Sequence, residues 1–547
     1  MNAAQLGLLS LLVVSLSVTA CNERTTQPPL PEPGAGTRTD SSQLVRLATL
    51  PLGSELTGLF ANSQGDLFFN VQHPSRDNPP PFNRAAIGVV DKLNIHSLRH
   101  QIESVSLPES DKDRRRVRVA VGNYRVLANG GDVIANSAPL GLMYSTEGKA
   151  LTDGSRPDFN AFIPTPKDSN QGILFTAWES KPGTMTRLSL RKDSENLWQA
   201  TAADAIDFRP VQGTWTNCFG TLSPWNTPLA SEELYFDNTA NWRNLAYKYL
   251  AGVKDMQSYL GFYPNPYRYG YIVEVADPLS VKPQPIKHFA LGRFSHENAV
   301  VMPDLKTVYL SDDGEATVFF KFIAETPGDL TRGSLYAAKL TQDRNKEGLL
   351  KKNPATTGFN LKWIFLARGN SKEIEQWISD YDNTDAYLSD KEIAAWSQGK
   401  SQDNRAAFLE SRKAARTKGA SAEFRKLEGI NINFEETQNA IHPFLYLAIS
   451  NIDKTMADDE GDIQLHENPC GGIYRFKLSS DYDVSRMEPF LIGGPYRDNA
   501  STYRCDADNI ANPDNLQVLS AGRLLVGEDS STKNHPNNML WLYSPTQ

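Results

Sequence analysis

From about residue 44 to its end, the sequence is a series of short apolar runs separated by turn residues. The runs are rich in Val, Ile, Leu, Phe and Tyr and are bounded by Gly, Asp, Asn or Pro, as at residues 271–275, 307–310, 444–450 and 523–527. This pattern is typical of short β-strands and favours a sandwich, a barrel or a propeller. A sandwich seldom needs 547 residues, whereas propeller blades add up to such a length. We therefore predict an all-β propeller, with a blade number that no sequence period reveals.

Two segments interrupt the strand pattern. Residues 241–259 carry apolar side chains at helical spacing, and residues 371–429 contain further helices, with capped starts near Asp390 and Asn404. The basic cluster at residues 412–418 reads as a solvated helix face. We expect helical insertions near 239–260 and 371–427 within a single propeller domain of residues 44–547.

The N-terminus predicts export. Residues 6–18 form an apolar run that is too short to span a bilayer and is typical of a secretory signal. Val18-Thr19-Ala20-Cys21 resembles a bacterial lipobox, which implies a signal peptide of residues 1–20 and a lipid on Cys21. An ordinary signal peptide remains the alternative, since no Lys or Arg precedes the run. Residues 21–43 read as a flexible tether, and we expect a lipoprotein at the outer membrane, on its periplasmic face or at the cell surface.

Charge and motif content exclude several functions. The chain has 56 Lys and Arg against 64 Asp and Glu, a net charge of −8, and no long basic run, which argues against nucleic-acid binding. Neither a Gly-x-Ser-x-Gly elbow nor a Walker-type loop occurs. His296-Glu297 and His466-Glu467 lack the second histidine of a zincin motif. We expect a monomer that acts on a small molecule.

Carboxylates beside glycines and prolines at predicted strand ends are the main chemical signal. Oxygen ligands from several strands suit calcium or ferric iron. Each such residue taken singly is more often a cap or turn residue, and a lone Cys is more often buried and inert. The candidates are Cys218, Glu232, Glu233, Glu297, Asp312, Asp313, Glu428 and Asp514.

Taken in order, the motifs around these residues resemble the PhoX-type alkaline phosphatases. The phrases are TNCFGTLSPWNTPLASEEL, GRFSHENAV, VYLSDDGEATVFFKF, KLEG, GGIYRF, NPDN and GEDSSTKNHPNNMLWLY, spread over roughly residues 210–545. The resemblance implies a six-bladed β-propeller whose axis holds ferric iron (Fe3+) and calcium (Ca2+) at one end. It also implies a phosphatase that hydrolyses phosphate monoesters.

The resemblance assigns roles by position. Cys218 would be the thiolate ligand of iron, and Glu297, Glu428 and Asp514 would be carboxylate ligands between iron and calcium. Glu232 and Glu233 would bind calcium or lie beside it. Asp312 and Asp313 would either bind metal or shape a turn. Cations at these residues would neutralise a phosphate group and the charge of its transition state.

One departure from the family pattern concerns phosphate binding. The family has Arg-Pro-Glu where this chain has Lys426-Leu427-Glu428. Arginine binds phosphate oxygens in pairs, whereas lysine is a point charge. Either Lys426 contacts phosphate or Arg425 replaces the family arginine. Two other functions stay open: a non-catalytic calcium-binding surface propeller, and a propeller lactonase, phosphodiesterase or phosphotriesterase without need of a thiolate.

The four cysteines divide into three predicted roles. Cys21 is the lipid attachment point and Cys218 is the iron ligand. Cys470 and Cys505 are the two that remain, and an oxidising compartment preserves disulfides. We predict that they form one.

Overall fold

The computed structural model describes residues 44–98, 102–234, 239–384 and 387–545. The predicted signal peptide, Cys21 and the tether lie outside the described residues. The strands assemble into six antiparallel sheets, called blades 1 to 6. Blade 1 consists of β2 (Glu55–Ala61), β3 (Leu67–Gln72), β4 (Ala86–Asp91) and β6 (Asn123–Asn129). Blade 2 consists of β7 (Pro157–Thr165), β8 (Asp168–Trp178), β9 (Thr184–Lys192) and β10 (Trp198–Ala205). Blade 3 consists of β11 (Asn217–Leu222), β12 (Pro228–Glu232), β13 (Ile272–Ala276) and β14 (Gln284–Lys287).

Blades 4 and 5 share an edge, because β20 pairs with β25. The short strands β17 (Glu315–Thr317) and β21 (Phe424–Arg425) pair with each other. Blade 4 consists of β15 (His296–Val301), β16 (Thr307–Asp312), β18 (Phe320–Thr326), β19 (Asp329–Gln342) and β20 (Phe359–Asn370). Blade 5 consists of β22 (Leu427–Asn431), β23 (Phe444–Ile449), β24 (Gly472–Lys477) and β25 (Arg486–Ile492). Blade 6 consists of β26 (Pro513–Val518), β27 (Leu524–Glu528), β28 (Met539–Tyr543), β1 (Leu44–Thr49) and β5 (Arg118–Val119).

The blades form a closed ring around one axis. The first strand of each blade contacts the first strand of the next, in the order β2, β7, β11, β15, β22, β26 and back to β2. The N-terminal strand β1 pairs with β28, so that both ends of the described chain meet in blade 6. This pairing joins the two ends of the ring by main-chain hydrogen bonds. The propeller that the sequence predicts is confirmed, with the six blades that the family resemblance implies.

Facing sheets bury the apolar runs between neighbouring blades. Phe159 and Phe175 of blade 2, for example, pack in one cluster with Phe219 and Val273 of blade 3. Because each blade is covered on both faces, its strands are apolar on both sides. This explains why the sequence shows apolar runs rather than a strict alternation of apolar and polar residues.

The end of the axis at which the six inner strands begin is called the starting end. The insertion helix α2 follows β12 at this end, and α3 to α6 follow β20, as the sequence predicts for the two insertions. The N-terminal cap of α4 is Ser389, one residue before the expected Asp390, and it forms a capping box with Glu392. None of the helices in these ranges has the length and apolar character of a membrane span. The helices are α1 (Asp111–Arg114), α2 (Leu250–Leu260), α3 (Ser371–Ser379), α4 (Asp390–Ser397), α5 (Arg405–Leu409), α6 (Ser411–Thr417) and α7 (Phe434–Gln438).

Candidate metal centre

Each inner strand brings one metal-ligand type of side chain to the starting end. Glu55 is the first residue of β2, and in the other five strands the second residue has this role. In all six blades the pairing of the first two strands shifts register directly after this region. Bulges of this kind re-aim side chains and occur beside active sites. The five second residues are Asp158, Cys218, Glu297, Glu428 and Asp514.

In four blades, the residue directly after the second strand is also a carboxylate, and it lies where that strand ends beside the start of the first. Glu179, Glu233, Asp313 and Asp529 each come directly after such a strand. The last strand residues before Glu233, Asp313 and Asp529 are also acidic, but successive strand residues point to opposite sides. Only one residue of each acidic pair can therefore face the axis.

Three groups of ligand atoms lie close enough to hold cations. Within each group, one ligand atom per residue lies within 4.8 Å of the others. Glu297 belongs to two of the groups and Asp514 to two, so the groups form a continuous series. They are the Cys218 group (Cys218, Glu233, Glu297), the central group (Glu297, Glu428, Asp514) and the Asp529 group (Glu55, Asp514, Asp529).

The thiol of Cys218 is surrounded by carboxylates. Its Sγ lies 3.1 Å from Glu297 Oε2 and 3.4 Å from Asp158 Oδ2. Burial, followed by the charges of Asp158 and Glu297, raises the pKa of Cys218 well above its usual range. A cation bound among these atoms reverses that effect, because it stabilises the thiolate.

The carboxylates of the three groups repel one another. Burial, followed by the charges of Glu428 and Asp514, raises the pKa of Glu297 well above its usual range. Burial and the charge of Asp313 raise the pKa of Glu428 to about 8. Asp158 Oδ1 is buried and has no hydrogen-bond partner among the described residues. Buried carboxylates of this kind require protons or cations, and hard cations with one thiolate fit this set of donors.

Lys426 adds a positive charge to the centre. Its Nζ lies 2.8 Å from Glu428 Oε1 and 3.7 Å from Asp529 Oδ2. Arg425 is turned elsewhere, with its Nε 3.4 Å from Asp453 Oδ1 and its Nη1 donating to Gly314 O at 3.1 Å. These contacts do not favour Arg425 as the replacement for the family arginine, and that alternative stays a prediction. Lys426 is the one of the two that faces the carboxylates.

Glu232 is a buried structural residue, and the expectation that it lies at the metals is wrong. Its carboxylate accepts hydrogen bonds from Lys287 Nζ at 2.8 Å and from the backbone amides of Trp215, Gly270 and Tyr271 at 3.0, 2.9 and 3.1 Å. These donors use its lone pairs and hold it on the side of β12 that faces away from the axis. Glu233, the next residue, belongs to the Cys218 group.

Asp312 repeats this arrangement in blade 4. It accepts from Arg412 Nε at 3.0 Å and from Val318 N at 3.0 Å, and Arg412 Nη2 binds its other oxygen. Of the two alternatives for Asp312, these contacts favour the one in which it shapes the turn before Val318 rather than binds metal. Arg412 also corrects the interpretation of residues 412–418 as a wholly solvated face. Asp313 faces the centre, where its charge raises the pKa of Glu233.

Four residues at the centre were not predicted from the sequence. Glu55, Asp158 and Glu179 lie in the N-terminal third, outside the motifs that resemble the family, where each is a single carboxylate at a strand boundary. The fourth is Lys181, in the β8–β9 connection at the starting end. Asp529 lies in the closing motif GEDSSTK, but the resemblance assigned it no role. What these residues share is a position at or near the end of a strand. Such a position can be recognised only when the bounds and the register of the strands are known.

Lys181 is held by aromatic rings beside the Cys218 group. Its Nζ lies 5.8 Å from the ring centre of Trp215 and 5.6 Å from that of Tyr249. Gly252 of α2 leaves room for its stem, because a Cβ there would meet Lys181 Cδ at 2.6 Å. Burial lowers the pKa of Lys181, and the charges of Glu179 and Glu233 oppose that shift. The ammonium group thus stands near the carboxylates without a direct ion pair among the described residues.

The two remaining cysteines are joined. Cys470 and Cys505 form a disulfide, as the sequence predicts, and Cys218 is the free cysteine in the described part of the chain. The disulfide belongs to loops at the starting end, in front of blades 5 and 6.

Comparisons with known proteins identify a family and a shared fold. A model of the family described as "Alkaline phosphatase PhoX" matches residues 193–544. PhoX of Pseudomonas fluorescens, solved in complex with vanadate, a transition state analogue, has a TM-score of 0.51 and 19% identity, over 72% of this chain and 78% of its own. This likeness shows that the two proteins share a fold. No curated protein matches in sequence.

Two further solved structures are similar at lower scores. A luciferin-regenerating enzyme has a TM-score of 0.36 and 8% identity, over 92% of this chain and 95% of its own. A gluconolactonase of Xanthomonas campestris has a TM-score of 0.32 and 9% identity, over 92% and 89%.

Proposed function

Because this chain belongs to the PhoX family of alkaline phosphatases, we propose that it hydrolyses phosphate monoesters at a centre of Fe3+ and Ca2+ held by the three ligand groups. The observation that carries the proposal is the continuous series of groups, linked by Glu297 and Asp514. A carboxylate that belongs to two groups could bind two adjacent cations, and its negative charge would reduce the repulsion between them. A phosphate ester, with its own negative charges, matches such a cluster of cations.

The two ends of the series differ in chemistry, which suggests where each metal binds. The Cys218 group combines a sulfur with two carboxylates, and this mixture suits iron. The Asp529 group has oxygen donors only, and such sets suit calcium. Once bound, the cations would neutralise the phosphate group and stabilise the charge of the transition state.

The chain's own cations would orient the ester. Lys426, whose side chain is 23% exposed, would donate a hydrogen bond to a phosphate oxygen once cations occupy Glu428 and Asp529. Lys181 would supply a second positive charge from the side of blades 2 and 3. As a point charge, Lys426 holds phosphate with less directional preference than an arginine, and this favours esters of varied shape.

We also propose that the protein acts as an exported, lipid-anchored monomer. The support is the apolar run at residues 6–18 followed by Cys21, together with the disulfide, which persists in oxidising compartments. Intact mass of the membrane-extracted protein would detect the lipid, and Cys21→Ser should release the protein from membranes. A Cys21→Ser protein that still sediments with membranes would contradict the anchor. Light scattering tests the monomer.

The experiment on function combines metal analysis with a phosphatase assay. We expect the purified protein to contain iron and calcium and to hydrolyse p-nitrophenyl phosphate at alkaline pH. Cys218→Ser should lose iron and activity and keep its circular dichroism spectrum. Phe219→Leu is the matched control, because the neighbouring side chain of β11 packs in the apolar core between blades and should leave metals and activity unchanged.

Other outcomes would favour other functions. Calcium without iron, and no activity toward the ester, would support a non-catalytic surface propeller. Activity toward lactones or phosphodiesters that survives Cys218→Ser would support the remaining alternative, since that chemistry needs no thiolate.

A further inference from the structure

Asn512 lies at the junction between the disulfide loops and the Asp529 group. It comes two residues before Asp514, and its φ of +48° lies in the left-handed region. Asparagine tolerates this region better than most residues. The residue is 4% exposed, so that its amide must find partners within the protein.

The side chain of Asn512 uses its full hydrogen-bonding capacity. Its Nδ2 donates to Ser450 O at 3.0 Å and to Pro469 O at 2.9 Å. Its Oδ1 accepts from Ser530 Oγ at 3.0 Å and from Asn534 Nδ2 at 2.8 Å. An amide offers two donors and two acceptor sites. Asn512 therefore ties the loop after β23 to the loop after β27.

The backbone of Asn512 reaches both ligand residues at this end. Its carbonyl accepts from the backbone amide of Asp529 at 3.1 Å, and Asp514 follows two residues later in the chain. Both aspartates belong to the Asp529 group. Asn512 is not itself a member of the Asp529 group. Its backbone instead fixes the positions of two of the three residues of this group, Asp514 and Asp529.

The disulfide secures Asn512 from two directions. The backbone amide of Asn512 donates to Cys470 O at 2.8 Å. On the other side, Cys505 N donates to Asn534 O at 3.3 Å, and the side chain of Asn534 binds Asn512. The covalent bond between Cys470 and Cys505 thus closes a loop of contacts that passes through Asn512. The two cysteines are 0% and 3% exposed, so the bond is shielded from solvent.

We propose that Asn512 is the positioning residue of the Asp529 group and that the Cys470–Cys505 disulfide keeps it in place. The cation affinity of this end then depends on a covalent bond that the Cys218 group does not share, because no hydrogen bond of Asn512 reaches Cys218. The inference rests on the proposed function only for the identity of the cation, Ca2+. Partners that orient metal ligands typically change metal affinity by about 10- to 100-fold when they are lost.

The test uses the full chain and two independent perturbations. Asn512→Gly removes the amide and keeps the left-handed backbone available. The double variant Cys470→Ser/Cys505→Ser keeps the amide and removes the bond that secures it. Bound calcium is measured at a series of buffered free Ca2+ concentrations, and iron is measured in the same samples.

We expect both variants to need about 10- to 100-fold more free Ca2+ to fill the weakest calcium position, with the iron content unchanged. Asn129→Ala is the matched control. Asn129 is also a buried asparagine, 6% exposed, and it donates to Pro81 O and Ala85 O at 2.9 and 3.0 Å in blade 1. It should bind both metals as the wild type does.

Three results would overturn the inference: unchanged calcium binding in the variants, equal loss of iron and calcium, or the same loss in Asn129→Ala. Ser530→Ala removes one hydrogen bond of Asn512 and keeps the test decisive if the stronger variants do not fold. It should weaken calcium binding in the same direction, and no change would refute the role. Calcium binding is read without substrate, so a protein that behaves as expected and hydrolyses no ester would refute the proposed function alone.

Discussion

Adjacent glutamates at the end of β12 should respond in opposite ways to the same substitution. Glu232 and its partner Lys287 are each 0% exposed at the side chain, and their charged atoms lie 2.8 Å apart. Glu232→Gln removes the negative charge and leaves the ammonium group of Lys287 buried without its counter-ion. Breaking a buried pair in this way costs about 3–5 kcal/mol. We therefore expect the free energy of unfolding to fall by that amount, with or without metal.

Glu233→Gln should leave the metal-free protein as stable as the wild type or more stable. Burial, followed by the charges of Asp313 and Glu179, raises the pKa of Glu233, so that its ionised form is disfavoured before a cation binds. A neutral amide removes that repulsion. The cost appears only when metal is present, because a ligand of the Cys218 group is lost. Each tenfold loss of metal affinity removes about 1.4 kcal/mol of metal-dependent stability.

Urea unfolding followed by tryptophan fluorescence, with and without metal, measures both effects. The double variant Glu232→Gln/Lys287→Met supplies a further check, since removing both partners should restore most of the stability that the single change loses. The assignment of roles is refuted if Glu232→Gln loses metal at unchanged metal-free stability. It is also refuted if Glu233→Gln destabilises the metal-free protein by several kcal/mol.

The remaining predictions concern substrate binding and pH. Lys426→Met should raise the KM for p-nitrophenyl phosphate by about 10-fold or more, as expected for a charged hydrogen bond, and Lys426→Arg should restore binding; an unchanged KM in Lys426→Met would exclude phosphate contact. Lys181→Met should raise the KM less than Lys426→Met does, and no change in steady-state kinetics would leave it a purely structural residue. Burial opposes ionisation of Glu274, but the hydrogen bond and charge of His288 outweigh it and lower its pKa from 4.5 to about 2. The stability that this carboxylate contributes is present above pH 4.5 and should be lost as the pH falls toward 2. In Glu274→Gln, the urea midpoint of the metal-free protein should therefore decrease less between pH 4.5 and pH 2 than in the wild type. A midpoint that decreases as steeply as in the wild type would contradict the prediction.

Sequence reasoning reached the fold because apolar runs and turns are local signals. It also selected Cys218, Glu297, Glu428 and Asp514, which the structure brings together at the starting end. It could not separate Glu232 from its neighbour, because the direction of a strand side chain depends on register. It missed Asp158 for another reason, since a single carboxylate gains meaning only when ring closure places it beside Cys218.

The arrangement of the centre follows from the repeated blade rather than from any single motif. Every blade offers two equivalent positions at the starting end, one at the start of its inner strand and one just after its second strand, and a register shift beside the first position aims it at the axis. Position is therefore set by the fold, and chemistry by the residue that occupies it. Blade 3 places a thiol there, while blades 1 and 6 place carboxylates. A symmetric scaffold thereby holds an asymmetric set of donors, with sulfur at one end of the series and oxygen alone at the other. Under the proposed function, this asymmetry would let two kinds of cation bind side by side.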